Sequence, residues 1–166
     1  MAKYAAIVVT DAIEPWQILP ILATRQDIYT DPQKPVAVEP KLYAVGEVGP
    51  ESPLLVTTNF SLSYYSVEGE VEASRVPAYI LSVDTEGTSV LTAWASDKFN
   101  ADTITKALKK TELEAKVEHR NLVIPGFVAV LSAGIEDESG WSVQIGPREA
   151  SGLSSFLKRQ PKAVTA

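Results

Sequence analysis

Apolar residues along this chain fall into short runs bounded by Gly, Pro, Asp or Asn, and their spacing alternates between two periods. Runs rich in Val, Ile, Leu or Tyr predict strands at Tyr4–Val9, Lys41–Val48, Leu54–Asn59, Ala78–Asp84, Ser89–Trp94, Asn121–Ile124 and Ser142–Ile145. Between them the spacing becomes helical. Tyr64, Val67 and Val71 fall at i, i+3 and i+7 within Tyr64–Arg75. Ile104, Ala107 and Leu108 give i, i+3 and i+4 behind Asn100, a natural N-cap, and Leu153, Phe156 and Leu157 repeat that spacing. Asp11 is placed to cap a helix carrying Trp16, Ile18, Leu19, Ile21 and Leu22, which Pro20 should bend or divide.

Strands alternating with amphipathic helices predict an α/β domain over residues 1–158, with a mostly parallel sheet flanked by helices, and a C-terminal tail over 159–166. Two connections break the parallel pattern. The turn Gly49-Pro50-Glu51-Ser52-Pro53 suits a hairpin-like return that pairs Lys41–Val48 with Leu54–Asn59. The gap Thr85–Thr88 is too short for a parallel crossover, so at least one antiparallel edge is expected. Pro32, Pro35 and Pro40 make Thr24–Lys41 a long extended connection.

Composition narrows the chemistry. A chain of 166 residues buries roughly 70% of its unfolded surface and needs no staples. It has no Cys, which rules out disulfides, thiolate catalysis and any iron-sulfur cluster held by this chain, and suits a reducing compartment. Fifteen basic against 21 acidic residues, a net charge of −6, and no basic block longer than Lys109-Lys110 argue against nucleic acid as a partner. The run Leu122–Ile135 is broken by Pro125, Gly126, Ser132 and Gly134 and does not suit a bilayer. Met1-Ala2-Lys3-Tyr4 leads straight into an apolar run, unlike a signal peptide. The expectation is a cytoplasmic protein.

Reactive groups are scarce. His119, the single histidine, sits in Val117-Glu118-His119-Arg120 and has two readings, a thin metal site with carboxylates or a surface or strand-edge residue. No Gly-x-Ser-x-Gly elbow, Gly-x-Gly-x-x-Gly turn or Walker loop is present. Glu68, Glu70 and Glu72, on a helix interrupted by Gly69, read as a solvated face. No catalytic residue and no protein-held metal is assigned.

What remains is a set of loops built from small, hydroxyl and amide residues. They are Thr57–Leu62, Thr88–Ala95, Ile124–Ala129 and Gly146–Ala150. In the second, Thr92 lies at the centre of an apolar run, near the predicted strand end where α/β folds bind ligands. Gly and Ala let a large planar ligand approach the backbone, and Thr, Ser and Asn can bond peripheral amides without adding charge. Turn chemistry explains any one loop. Four on one domain point to a cofactor cradle, without naming the cofactor.

These segments, with Leu22–Pro35 and Asp84–Phe99, resemble the C-terminal corrinoid-binding domain of the large (gamma) subunit of the corrinoid iron-sulfur protein, the methyl carrier of the anaerobic acetyl-CoA pathway. The resemblance covers nearly the whole chain. It implies a Rossmann-like domain that holds a cobamide, a vitamin B12-type corrinoid, with its loops facing the lower side of the ring. Residues carried over are Thr58, Asn59, Leu62 and Tyr64 from the first loop, and Thr88, Ser89, Val90 and Leu91 lining the ring. Thr92 lies beneath the cobalt, and Ala93, Gly126 and Ala150 give close approach. Trp94 either shields the lower face or is buried, and Arg148 either meets the nucleotide-tail phosphate or pairs with Glu149 or another carboxylate.

Related mercury-methylating proteins have Cys where this chain has Thr92, and the Asp-x-His-x-x-Gly motif of corrinoid proteins with an axial His is missing around His119. A neutral hydroxyl is a weak ligand, and a weak lower ligand makes Co(II) easier to reduce. The resemblance therefore implies a base-off methyl carrier rather than a stand-alone enzyme. It would shuttle a methyl group between a methyltetrahydrofolate-type methyltransferase and acetyl-CoA synthase, with the small subunit and a reductive activator as further partners. The family's iron-sulfur and barrel domains do not fit in this length, so the expectation is an excised domain or a stand-alone relative. Ser96-Asp97 replaces a common Ala-Gly, which with the missing domains leaves an alternative, a cofactor-free docking module for a methyltransferase, synthase or activator.

Overall fold

Five of these apolar runs form one sheet in the computed structural model, which describes residues 11, 14–19, 37–111 and 113–159. The strands are β1 (Leu42–Val45), β2 (Leu54–Thr58), β3 (Ala78–Val83), β4 (Asn121–Ile124) and β5 (Ser142–Ile145), in the order β1-β3-β2-β4-β5. β3, β2, β4 and β5 run parallel, and β1 closes one edge antiparallel to β3. This is the expected Rossmann-like α/β sheet.

The chain divides into two compact units, Met1–Val36 and Ala37–Ala166. In the first, residues 15–19 are helical. The expected strand Tyr4–Val9, the continuation of the first helix through Ile21 and Leu22, and the connection from Thr24 to residue 36 lie outside the described residues. The expected tail also lies outside them, except Arg159, which ends the last helix.

Strand alternation sorts the core of the second unit into two layers. Leu54, Val56, Leu81, Val83, Leu122 and Ile124 face one side, where they meet Phe99, Ile104, Leu108, Ile135 and Trp141. Leu55, Ala78, Ile80 and Val123 face the other, against Tyr64, Val71, Leu153 and Leu157. Helices α1 (Ser61–Ser74) and α5 (Leu153–Arg159) thus cover one face, and α3 (Ala101–Lys110) and α4 (Ser132–Ser139) the other. Each fully buried aliphatic or aromatic side chain contributes about 1.5–3 kcal/mol.

The α3 start follows its sequence signal. Asn100 Oδ1 accepts from the Thr103 N–H at 2.9 Å, and the Thr103 hydroxyl accepts from the Asn100 N–H at 3.1 Å, a reciprocal capping box. No described helix is long and apolar enough to cross a membrane.

Three expectations are corrected. β1 does not form a hairpin with β2; it pairs with β3, Leu42 opposite Leu81 and Val45 opposite Ala78. β2 is buried at every position and needs neighbours on both sides, whereas β1 is only partly covered and suits an edge. Ser89–Trp94 is not a strand but a short helix, α2 (Val90–Ala95). A six-residue apolar run carries too little periodicity to separate strand from helix, and β3 already has partners on both sides. The antiparallel edge exists, but β1 supplies it. Finally, α1 runs unbroken through Gly69.

Gly69 is exposed, and a Cβ there would meet nothing within 4 Å. Gly69→Ala should therefore stabilise the protein by about 0.5–1 kcal/mol, read as a raised urea midpoint at constant slope. An unchanged or lowered midpoint would contradict this reading of α1.

Candidate functional site

The strand order leaves one place where neighbouring chains part. From β2 the chain enters α1 on one face of the sheet, and from β4 it passes through the 3-10 segment Gly126–Leu131 into α4 on the other. The carboxyl ends of β2 and β4 therefore border a switch-point crevice, the usual ligand position in open α/β sheets. A cavity of about 300 Å³ opens there. Its lining is mainly apolar, with Leu55, Val67 and Val123 at the sheet and α1, Phe127 and Pro147 on the loops, and polar contributions from Thr57, Ser63, Ser89 and Arg148.

Large apolar side chains are exposed on α1, on α2 and on the segment after β4. Leu62 is 68% exposed and Val130 71%, and Leu91, Trp94 and Phe127 are each more than 40% exposed. Leu62 and Phe127 also line the cavity, and α2, which carries Leu91 and Trp94, packs on Gly126–Leu131. Exposed apolar patches of this kind are uncommon on soluble domains away from interaction sites.

The helix within that patch is held by Asn59, buried directly after β2. Its Oδ1 accepts from the Thr85 N–H at 2.9 Å and the Gly87 N–H at 3.0 Å, with the Thr85 hydroxyl also at 3.0 Å. Its Nδ2 donates to Asp84 Oδ1 at 3.2 Å. Only this amide orientation matches donors to acceptors. The turn so held has positive φ at Glu86 (54°) and Gly87 (68°), and the Thr88 N–H closes it onto the Thr85 carbonyl at 3.2 Å. A Glu86–Lys98 ion pair links this turn to the segment after α2. Ala93 and Phe99, both wholly buried, anchor the helix below.

The residues expected to form the site separate into three groups. Leu62, Ser89, Val90 and Ala150 meet at the cavity. Leu91 and Thr92 lie exposed on α2, where the Thr92 hydroxyl accepts from the Ser89 hydroxyl at 3.0 Å, and Thr88 donates its own hydroxyl back to the Thr85 carbonyl at 2.6 Å. Thr58, Asn59, Tyr64 and Ala93 are interior. The Thr58 hydroxyl is buried without a hydrogen-bond partner. Tyr64 packs against Tyr43 with ring centroids 4.5 Å apart and donates to Glu68 at 2.8 Å. Burial, and then the Glu68 hydrogen bond, hold its phenol well above the ordinary tyrosine range.

Gly126 has a reason of its own. A Cβ there would lie 2.6 Å from the Gly146 carbonyl oxygen and 3.0 Å from the Arg148 nitrogen, so the glycine lets the loops after β4 and β5 touch. Trp94 is exposed, not buried, because only Ala93 of α2 turns into the core. Arg148 makes no ion pair with Glu149 among the described residues and lines the cavity. His119 lies half-buried just before β4: its Nε2 bonds the Ser52 carbonyl at 2.8 Å, and its Nδ1 accepts from the Asn121 N–H at 3.3 Å. No group of three His, Asp or Glu capable of holding a metal occurs among the described residues. Thr57, Ser63 and Phe127 were not expected as site residues, though each lies within or beside a loop of the right composition.

Fold and crevice together define an α/β domain with an apolar crevice at its switch point. The chain belongs to the CO dehydrogenase/acetyl-CoA synthase delta subunit family, whose match spans residues 1–157. It is 54% identical over 160 residues to the corrinoid/iron-sulfur protein large subunit of Moorella thermoacetica, covering 95% of this chain and 35% of that protein. It is 42% identical over 158 residues to the acetyl-CoA decarbonylase/synthase complex subunit gamma of Methanopyrus kandleri, covering 95% and 34%. The corresponding subunit of Methanothermobacter thermautotrophicus is 43% identical over 159 residues, covering 96% and 35%. The chain thus spans about a third of the length of these curated relatives.

Gly126→Ala should destabilise the protein by about 3 kcal/mol, since backbone rather than a flexible side chain must yield. Equilibrium denaturation checks this. A loss within experimental error would mean that the loops after β4 and β5 are not in contact.

Proposed function

We propose that this chain is the corrinoid-binding part of a cytoplasmic methyl carrier, and that the crevice and its rim around α2 hold the cobamide. One observation carries the reading. Exposed large apolar side chains accompany a helix whose outward polar groups are neutral hydroxyls, Ser89 and Thr92, and no group of His, Asp and Glu able to hold a metal occurs among the described residues. Such a surface suits a large, flat, largely apolar macrocycle with amide substituents. Bound there, the cobamide would supply a cobalt centre that accepts and releases a methyl group.

The chain's own residues bind and orient. Leu62, Leu91, Trp94, Phe127 and Val130 would cover one face of the ring and exclude water from it. Thr92 would present a weak oxygen toward the cobalt, one of its two lone pairs already engaged by the Ser89 hydroxyl. Arg148 would offer positive charge to a phosphate near the cavity. The proposed partners are the small subunit of a corrinoid iron-sulfur protein, a methyltransferase, acetyl-CoA synthase and a reductive activator. The exposure of the rim also suits the second reading, a docking module without cofactor.

Incubation with hydroxocobalamin followed by gel filtration separates the two. Retained corrinoid, with a Co(II) electron paramagnetic resonance signal free of axial-nitrogen splitting, is the expected result. A colourless protein peak at high micromolar protein and ligand would favour docking. Thr92→His should introduce nitrogen splitting into the signal of the bound Co(II) corrinoid; a signal identical to wild type would remove Thr92 from beneath the cobalt.

A further inference from the structure

The resemblance places Asn59 close to the ligand, yet it is 3% exposed and its backbone and carboxamide both bond within the protein. Its N–H donates to the Val83 carbonyl and its carbonyl accepts from the Val38 N–H, each at 2.8 Å. Its carboxamide serves Asp84, Thr85 and Gly87. The loop after β2 is thereby bonded to the loop after β3, the segment that delivers the chain into α2.

α2 has little else to place it from that side. It is six residues long, its N-cap Ser89 makes no side-chain capping bond, and Ala93 is its only buried residue. The turn before it holds the non-glycine Glu86 at φ 54°, a left-handed conformation that local energetics disfavour by roughly 1–2 kcal/mol. Asp84 Oδ1 accepts from the Glu86 N–H at 3.1 Å while also receiving Asn59 Nδ2, so the same carboxamide supports the strained residue.

We propose that Asn59 is a positioning residue: a buried clamp that fixes the turn 84–88 and, through it, the placement of α2 and Thr92, without touching the ligand. The link to Thr92 as the group beneath the cobalt rests on the function proposed above, but the clamp itself does not.

Two measurements keep these apart. In ligand-free protein, Asn59→Ala should accelerate amide hydrogen exchange across 85–96 by about tenfold or more, since buried donors lose their acceptor. Amides of Val71 in α1 and Ile104 in α3 should stay protected. Uniform acceleration, or none, would overturn the clamp. Should Asn59→Ala fail to fold, Asn59→Asp keeps oxygen acceptors for Thr85 and Gly87 but gives up the donor to Asp84, and is read the same way.

In corrinoid-loaded protein, Asn59→Ala should alter the cobalt hyperfine pattern of the Co(II) signal, and should alter it no further when combined with Thr92→Val. An additive change in the double variant, or an unaltered signal in the single one, would show that Asn59 does not act through Thr92. Failure of the wild type to take up corrinoid would refute the ligand reading while the exchange result still decides the clamp.

Discussion

The Asn59 carboxamide is the interaction on which the rest of this surface depends. β2 ends in the middle of the sheet, where the buried Thr85 and Gly87 N–H groups lie beside the Asp84 carboxylate. A neutral side chain with both donor and acceptor satisfies them together: Thr85 and Gly87 give hydrogens, and Asp84 receives one. A charged or apolar residue would leave at least one of these groups unpaired, at about 1–3 kcal/mol each. Because the bond joins two consecutive strand ends, it converts sheet geometry into the position of a helix that has no large core contact of its own.

Above that clamp the proposed binding surface is made largely from what the core does not use. α2 buries Ala93 and exposes Leu91, Thr92 and Trp94; the segment after β4 buries Val128 and exposes Phe127 and Val130. The two loops beyond β4 and β5 come together because Gly126 has no side chain, with its N–H donated to the Pro147 carbonyl at 3.0 Å. Rigid backbone contacts therefore underlie an apolar, weakly polar face. This suits a site that holds a reactive centre without supplying strong ligands to it.

Local signals were legible where a few adjacent residues decide the outcome. β4 and β5 occupy Asn121–Ile124 and Ser142–Ile145 as their bounded apolar runs imply, and Asn100 starts α3. Loop composition marks the segments that carry Leu62, Ser89, Val90 and Ala150, and these four residues line the cavity. What depends on distant partners was not legible. The pairing of β1 with β3 turns on which strand can be buried on both faces, and the partners of the Asn59 side chain lie 25 to 28 residues away. The run Val90–Ala95 fits either period, and only the occupied edges of β3 make it a helix. The close approach that Gly126 allows is made by the Gly146 backbone, a partner 20 residues away.

The central claim is that one end of the sheet, centred on α2, is a corrinoid surface. Mapping amide shifts of the isotope-labelled protein during titration with a diamagnetic cobalamin tests it most directly. Shifts should concentrate at Leu62, Ser89–Trp94, Phe127 and Ala150, with His119 and Trp141, which lie outside the crevice lining, unmoved. Shifts centred on His119 and Trp141, or none at saturating ligand, would contradict it.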